Sequence, residues 1–188
     1  MRWIRPWELV ASVAGGLHAV DPGVLGGLTG HSSRRAHAAT EVESVTLAAD
    51  RAKSSDRELL QRAFRWLEAH MPEDLPPRIL HGDLLGQNIL VFPDEPTGVI
   101  DWEYATTGDP AYDIAIVTRA AKKPFGSVDG LGRLLEAYAS HAPEPVGEVE
   151  VRFYELCLLL RWYLEEPVAG VREDNRRRLS GFLSRLGS

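Results

Sequence analysis

Apolar residues recur at helical spacing near the start of the chain. Trp7, Val10, Ala14 and Leu17 fall on one face, which predicts an amphipathic helix over about residues 6–20. Asp21-Pro22-Gly23 supplies its stop, because proline cannot continue a helix and glycine turns the chain. Residues 23–40 are rich in Gly, Ser, Thr, Ala and His without a period, and read as a mobile loop. A helix is expected over 41–53. A stronger one follows Ser54-Ser55-Asp56, whose side-chain oxygens suit a cap, with Leu59, Leu60, Ala63, Phe64 and Leu67 as its stripe. Pro72 and Pro76-Pro77 then break the pattern and the period shortens. Arg78-Ile79-Leu80, Ile89-Leu90-Val91-Phe92 and Gly98-Val99-Ile100 read as short strands, the last two joined by a turn at Pro93-Asp94-Glu95-Pro96. From residue 110 the pattern is helical again, over 110–122, 127–141, 148–166 and 172–186. Residues 151–164 are apolar nearly all round, as a central buried helix would be. Helices, a few short strands, then helices predict an α+β fold with a small sheet set into a helical domain.

Composition narrows the function classes. A chain of 188 residues with 44% apolar and 26% charged positions builds one domain and a sizeable core without disulfides, which excludes global disorder. The formal charge of −6 argues against sequence-independent nucleic-acid binding, which depends on neutralising phosphates. The single cysteine, Cys157, excludes an intramolecular disulfide framework and fits a reducing compartment; its place on the most apolar helix makes it inert. Arg2 and Arg5 ahead of an apolar stretch at 9–14 loosely imitate a leader, but the stretch is short and Glu8 sits at its edge. No uncharged apolar run approaches the roughly 20 residues that cross a bilayer. A cytoplasmic protein with no nucleic-acid or membrane partner is expected.

The candidate chemistry lies in one segment. His81-Gly82-Asp83 is followed by Asn88, then by Ile100-Asp101-Trp102-Glu103, then by Gly108-Asp109-Pro110 and Asp113. Asp83 and Asn88 are five apart across a loop containing Gly86, and two strands joined by a turn separate Asn88 from Asp101. Such a hairpin returns the chain to its starting end, so Asp101 faces Asn88. A carboxylate and an amide oxygen converging there make a hard-oxygen site suited to Mg²⁺. Asp83 then stands beside the metal, able to accept a proton or orient a hydroxyl. Phosphoryl transfer uses this arrangement, and the first two positions match the spacing of a kinase catalytic loop.

With its Leu17-His18-Ala19 opening, the segment resembles the aminoglycoside phosphotransferase and choline kinase family, which has a kinase-like fold. The resemblance covers nearly the whole chain and corresponds to the larger, mainly helical C-terminal lobe. It implies a single lobe over 1–188: an opening helix at 1–22, the loop at 23–40, the catalytic segment at 78–113 and a helical acceptor-side region at 114–188. It further implies Asp83 as catalytic base, Asn88 and Asp101 as metal ligands, and Asp113 as the brace of the catalytic loop, with His81 and Gly82 supporting it. ATP as co-substrate with Mg²⁺ and a small-molecule hydroxyl acceptor, aminoglycoside- or choline-like, follow. The family's smaller N-terminal lobe brings a loop over the phosphates and a lysine. Before His81 this chain has one lysine, Lys53, in a helical context, so that lobe is absent here and a missing lobe or partner chain is implied. Transfer by this chain alone is expected to be impaired, the alternative being an inactive remnant that binds a ligand or partner. A metal-dependent phosphohydrolase built on the same oxygens is less well served, because it would show more converging carboxylates or histidines.

Other residues carry plainer expectations. Asp109 reads as an N-cap with Pro110 at the first helical position. Trp102 and Trp162 read as core or pocket wall, and Arg176-Arg177-Arg178 as a solvated helix face. His31 and His37 lack partners at metal-ligand spacing. Glu155, Glu165 and Glu166 are candidates for an acidic wall that would receive a cationic acceptor.

Overall fold

The computed structural model of the chain describes residues 5–52, 56–92 and 97–187. The 93–96 turn, Lys53, Ser54 and Ser55 therefore lie outside the described residues. The helices are α1 (Pro6–His18), α2 (Arg34–Ala52), α3 (Arg57–Ala69), α4 (Pro110–Thr118), α5 (Gly130–Ala139), α6 (Glu148–Glu165) and α7 (Ala169–Leu186); the strands are β1 (Arg78–Leu80), β2 (Ile89–Leu90), β3 (Gly98–Val99) and β4 (Thr106–Gly108). This is the expected α+β arrangement.

Helix α6 is the axis of the core. Val151, Phe153, Tyr154, Leu156, Cys157 and Leu160 on it are fully buried, and α2, α4 and α7 pack around it while α1 packs on α5. An apolar surface on all sides of α6 is what a helix enclosed by three neighbours requires. Burial also pushes the Cys157 thiol up, away from its reactive thiolate form.

Three expectations are corrected. Residues 34–40 are helical rather than loop. Ser33 Oγ accepts the Ala36 N–H at 3.1 Å and so caps α2, and Ala38 is fully buried. Arg34 anchors the start by donating from Nε to the Pro76 carbonyl at 3.2 Å and by pairing with Glu144. Ahead of it, residues 29–31 are tied to β4: the Thr107 hydroxyl donates to the His31 carbonyl at 3.1 Å, and the His31 N–H donates to the Thr107 carbonyl at 3.0 Å. Second, Asp56 precedes α3 without capping it. Its carboxylate instead accepts the Tyr163 hydroxyl at 2.6 Å and Arg176 Nε at 2.9 Å. Third, Arg176-Arg177-Arg178 is more than a solvated face: Arg176 pairs with Asp56, and Arg178 stacks over the Trp162 ring at 5.1 Å.

The strands form two antiparallel pairs, one nested inside the other. β1 pairs with β4 (Arg78 opposite Gly108, Leu80 opposite Thr106), and β2 pairs with β3 (Ile89 opposite Val99). The β2–β3 hairpin is an excursion between β1 and β4. Antiparallel pairing returns each chain to where it started, so the loop leaving β1 (81–88) and the loop entering β4 (100–105) emerge side by side. β4 has only Thr106-Thr107-Gly108 as sequence signal, and it is the element that closes this frame.

Candidate active site

Asp113 organises the first loop. It lies in the first turn of α4, where a carboxylate also meets the helix dipole favourably. Its Oδ2 accepts the His81 N–H at 2.8 Å and its Oδ1 accepts the Gly82 N–H at 2.9 Å. His18 Nε2 donates to Oδ2 at 3.1 Å, and His18 Nδ1 lies 2.8 Å from the Tyr138 hydroxyl. Asp113 and His18 are both fully buried. Asp113→Ala would strand three donors, two of them buried and the Gly82 N–H half-buried, and each unsatisfied buried donor costs about 1–3 kcal/mol. A loss of about 3 kcal/mol or more of unfolding free energy is therefore expected in urea titrations, and a variant as stable as the parent would refute the bracing role.

Gly82 follows at φ 81°, and a Cβ there would come within 2.2 Å of the Tyr104 carbonyl oxygen. Only glycine lets the two loops touch at this point. His81 ties them together chemically. Its Nε2 donates to the Ile100 carbonyl at 2.9 Å, which leaves Nδ1 to accept the Asp83 N–H at 3.2 Å. One neutral imidazole thus links the backbone of Asp83 to the residue before Asp101.

Asp83 is half-buried, and the buried Leu84 anchors the loop beneath it. Asn88 reaches back across the loop: its Nδ2 donates to the Asp83 carbonyl at 2.8 Å and to Asp83 Oδ2 at 3.3 Å. With the amide nitrogen so engaged, Oδ1 is the end of Asn88 left to accept. Ile100 N–H donates to the Asn88 carbonyl at 3.0 Å, which extends the hairpin to the neighbour of Asp101. Asp101 takes left-handed φ 69°, ψ 59°, a conformation that Asp tolerates better than most residues and that clusters at functional sites. Its side chain is exposed and has no hydrogen-bond or ion-pair partner among the described residues. The structure therefore brings His81, Gly82, Asp83, Asn88, Asp101 and Asp113 together. Asp109 caps α4 as expected, accepting the Ala111 N–H at 3.0 Å, and Pro110 takes the first position.

A cleft of about 380 Å³ opens beside Asp83, between α4, α6 and the 100–105 loop. Its walls include Tyr104, Tyr112, Arg119, Leu158, Arg161 and Trp162. None of the three glutamates proposed for an acidic wall lines it. Glu155 is fully buried and faces the end of α4: Oε1 accepts the Thr118 hydroxyl at 2.5 Å and the Ala120 N–H at 3.0 Å, while Oε2 takes Arg152 at 2.7 Å. Glu166 accepts the Val168 N–H at 2.9 Å, and Glu165 is solvent-exposed at the end of α6. Sequence periodicity cannot separate a buried carboxylate that satisfies a turn from one that faces a ligand. Arg119 and Arg161, which do line the cleft, were missed for the converse reason: isolated arginines read as helix surface. His31 and His37 stack at 4.5 Å, and His37 Nδ1 accepts the Asp109 N–H at 3.1 Å. Burial holds His37 down to about 3, so it serves as a neutral acceptor. Among the described residues no group of three or more His, Cys, Asp or Glu side chains converges as a metal site. No helix among them is long and apolar enough to cross a membrane.

Comparison with known proteins agrees with this geometry. The homoserine kinase of Methylocella silvestris is 32% identical over 144 residues, covering 70% of this chain and 44% of that protein. That of Agrobacterium fabrum is 34% identical over 105 residues, covering 54% of this chain and 33% of the relative. The chain thus spans less than half the length of these relatives. Among solved structures, a thermostable mutant of aminoglycoside phosphotransferase APH(4)-Ia superimposes with a TM-score of 0.69 at 19% identity, covering 97% of this chain and 65% of that one. The choline kinase LicA of Streptococcus pneumoniae does so with a TM-score of 0.63 at 18% identity, covering 95% and 63%. These likenesses establish the fold as that of a kinase-like lobe. The profile of the phosphotransferase enzyme family, APH, matches residues 5–154, through the braced His81-Gly82-Asp83 loop and on into α6, and the chain belongs to that family.

Proposed function

We propose that the chain is the larger lobe of a small-molecule kinase that transfers the γ-phosphoryl group of ATP to an alcohol, with Mg²⁺. The observation that carries the reading is the Asn88 amide bridging to Asp83 while the same residue's backbone carries the hairpin that ends at Asp101. One frame holds all three groups. In the proposed step the acceptor oxygen bonds to the γ-phosphorus, the bond from phosphorus to the β,γ-bridging oxygen breaks, ADP leaves, and the hydroxyl proton passes to Asp83. Asp83 lies on the lining of the cleft, and so can meet a hydroxyl entering from that side.

The residues present fit Mg²⁺. Two hard-oxygen side chains, Asn88 Oδ1 and the unpartnered Asp101 carboxylate, are what a cation that takes its remaining ligands from water and phosphate requires. Bound there, the ion would neutralise charge on the phosphate oxygens. A hydrolase reading gains no such support, since further convergent metal ligands are lacking among the described residues. A cytoplasmic location, where ATP is supplied, belongs to the same reading.

Asp101→Asn removes a charge and keeps the shape. Loss of even an outer partner of a metal site costs about 10–100-fold in affinity. The variant should lose at least about tenfold of the Mg²⁺-dependent part of nucleotide affinity with an unchanged melting curve. Titrations with and without Mg²⁺ check this; equal Mg²⁺ dependence in variant and parent would remove Asp101 from the metal site.

A further inference from the structure

We propose that the Tyr112 hydroxyl is a hydrogen-bond donor to the alcohol bound in the cleft beside Asp83, with Arg161 as the residue that positions it. This rests on the reading of that cleft as the acceptor site, and it makes recognition there a matter of hydrogen bonding rather than of charge.

The charges around the cleft offset one another. Asp83 and Arg119 stand on the lining as one carboxylate and one guanidinium, and the second guanidinium, Arg161, is paired with Glu41 of α2 at 2.8 Å. Leu85, Ile116 and Leu158 supply apolar wall. In a pocket of this kind a few placed polar groups set the orientation of the ligand. Tyr112 supplies one of them. It is half-buried on the lining and lies one residue before Asp113, so the first turn of α4 that braces the catalytic loop also carries this side chain.

The direction of its hydrogen bonds follows from its neighbours. The ring is fixed by the buried His37, at 4.9 Å, and by the buried Tyr154, edge-on at 5.6 Å. Arg161 hydrogen-bonds to the phenol. A guanidinium only donates, so the phenol oxygen accepts in that bond and the O–H remains for another group. Burial pushes the phenol up to about 12, so it holds that proton at neutral pH. No residue among those described accepts it. A half-buried O–H donor without a protein acceptor, on the lining that also carries Asp83, is complementary to an alcohol. The ligand's O–H donates to the Asp83 carboxylate, and a ligand oxygen accepts from Tyr112. Glu41 in turn fixes Arg161 from α2.

Binding to the 188-residue chain, followed by the indole N–H resonance of Trp162 and by carbon NMR of tyrosine labelled at Cζ, tests this without phosphoryl transfer, so its outcome is separate from that of the kinase reading. The probes are butane-1,4-diol and butylammonium, which has the same carbon chain and a donor for Asp83 but no oxygen. We expect the diol to move the Tyr112 Cζ resonance. Tyr112→Phe keeps the ring contacts and removes one hydrogen bond, so diol affinity should fall about 3–10-fold while butylammonium binding and the melting curve stay as in the parent. Arg161→Lys keeps the charge toward Glu41 and loses the planar fork. It should weaken diol binding in the parent and have no effect in Tyr112→Phe, because it acts through the hydroxyl. No diol binding, a Tyr112 resonance unmoved by the bound diol, diol affinity unchanged by Tyr112→Phe, or an equal loss of both probes in that variant would each overturn the proposal. An Arg161→Lys effect of the same size with and without the Tyr112 hydroxyl would overturn the positioning role.

Discussion

Alanine at Asp83 is expected to lower phosphoryl transfer by about 10²–10⁴-fold, the usual worth of a positioned acid or base. Stability should change by less than about 1 kcal/mol, the range of substitutions outside the packed core. Asp83 is half-buried, and its loop is held by contacts that survive the substitution. The Asn88 amide keeps its 2.8 Å bond to the residue 83 carbonyl, and His81 Nδ1 keeps the residue 83 N–H. Only the longer 3.3 Å contact from Asn88 to the carboxylate disappears. Asp83→Asn retains shape but not proton affinity and should fall nearly as far, which separates base chemistry from packing. Transfer from labelled ATP to an alcohol panel, with a family-type N-terminal lobe supplied, is the check; undiminished transfer in Asp83→Ala would remove the base assignment.

Supplying that lobe is itself expected to raise transfer by orders of magnitude over the 188-residue chain alone. Phosphoryl transfer depends on charge stabilisation around the phosphates, and single stabilising elements are worth about 10²–10³-fold or more. Asp83, Asn88 and Asp101 are the groups proposed to act on the phosphate, and none of them carries the positive charge that a lysine would add. The hairpin end of the site also leaves apolar side chains in water: Val91 is 56% exposed, Tyr104 61% and Trp102 44%. An apolar rim of this kind fits a covering partner. Rates measured for the chain alone, fused to such a lobe, or mixed with it distinguish the cases. Equal rates in all three would contradict the dependence on a second lobe, and no transfer in any would favour a ligand-binding module.

The candidate segment was legible because the residues it brings together are close in sequence. Asp83, Asn88 and Asp101 are joined by one short hairpin, and the turn and strand signals on either side sufficed to bring them together. The N-cap at Asp109 and the buried α6 were likewise written in neighbouring residues. What escaped reading depended on distant partners. α2 begins at Arg34 because Ser33 caps it and Arg34 is anchored by Pro76 and Glu144, whereas the Gly- and Ser-rich stretch before it suggested a loop throughout. β4 is only three residues long, too short to read as a strand by itself, and exists because β1 lies beside it. Glu155 was expected on an acidic wall, yet tertiary packing buries it under the end of α4, where it accepts from the Thr118 hydroxyl and the Ala120 N–H. The three glutamates expected on an acidic wall therefore do not line the cleft beside Asp83.

Phosphorus NMR of the γ-phosphate provides the most direct test of the proposed kinase activity. The chain, with a family-type small lobe supplied, is incubated with ATP, Mg²⁺ and an alcohol panel that includes homoserine and choline. The expected result is a new phosphate monoester resonance that grows in step with ADP and is abolished by Asp83→Ala and by removal of Mg²⁺. Release of inorganic phosphate without ester, or no consumption of ATP under any of these conditions, would contradict a phosphotransferase site built from Asp83, Asn88 and Asp101.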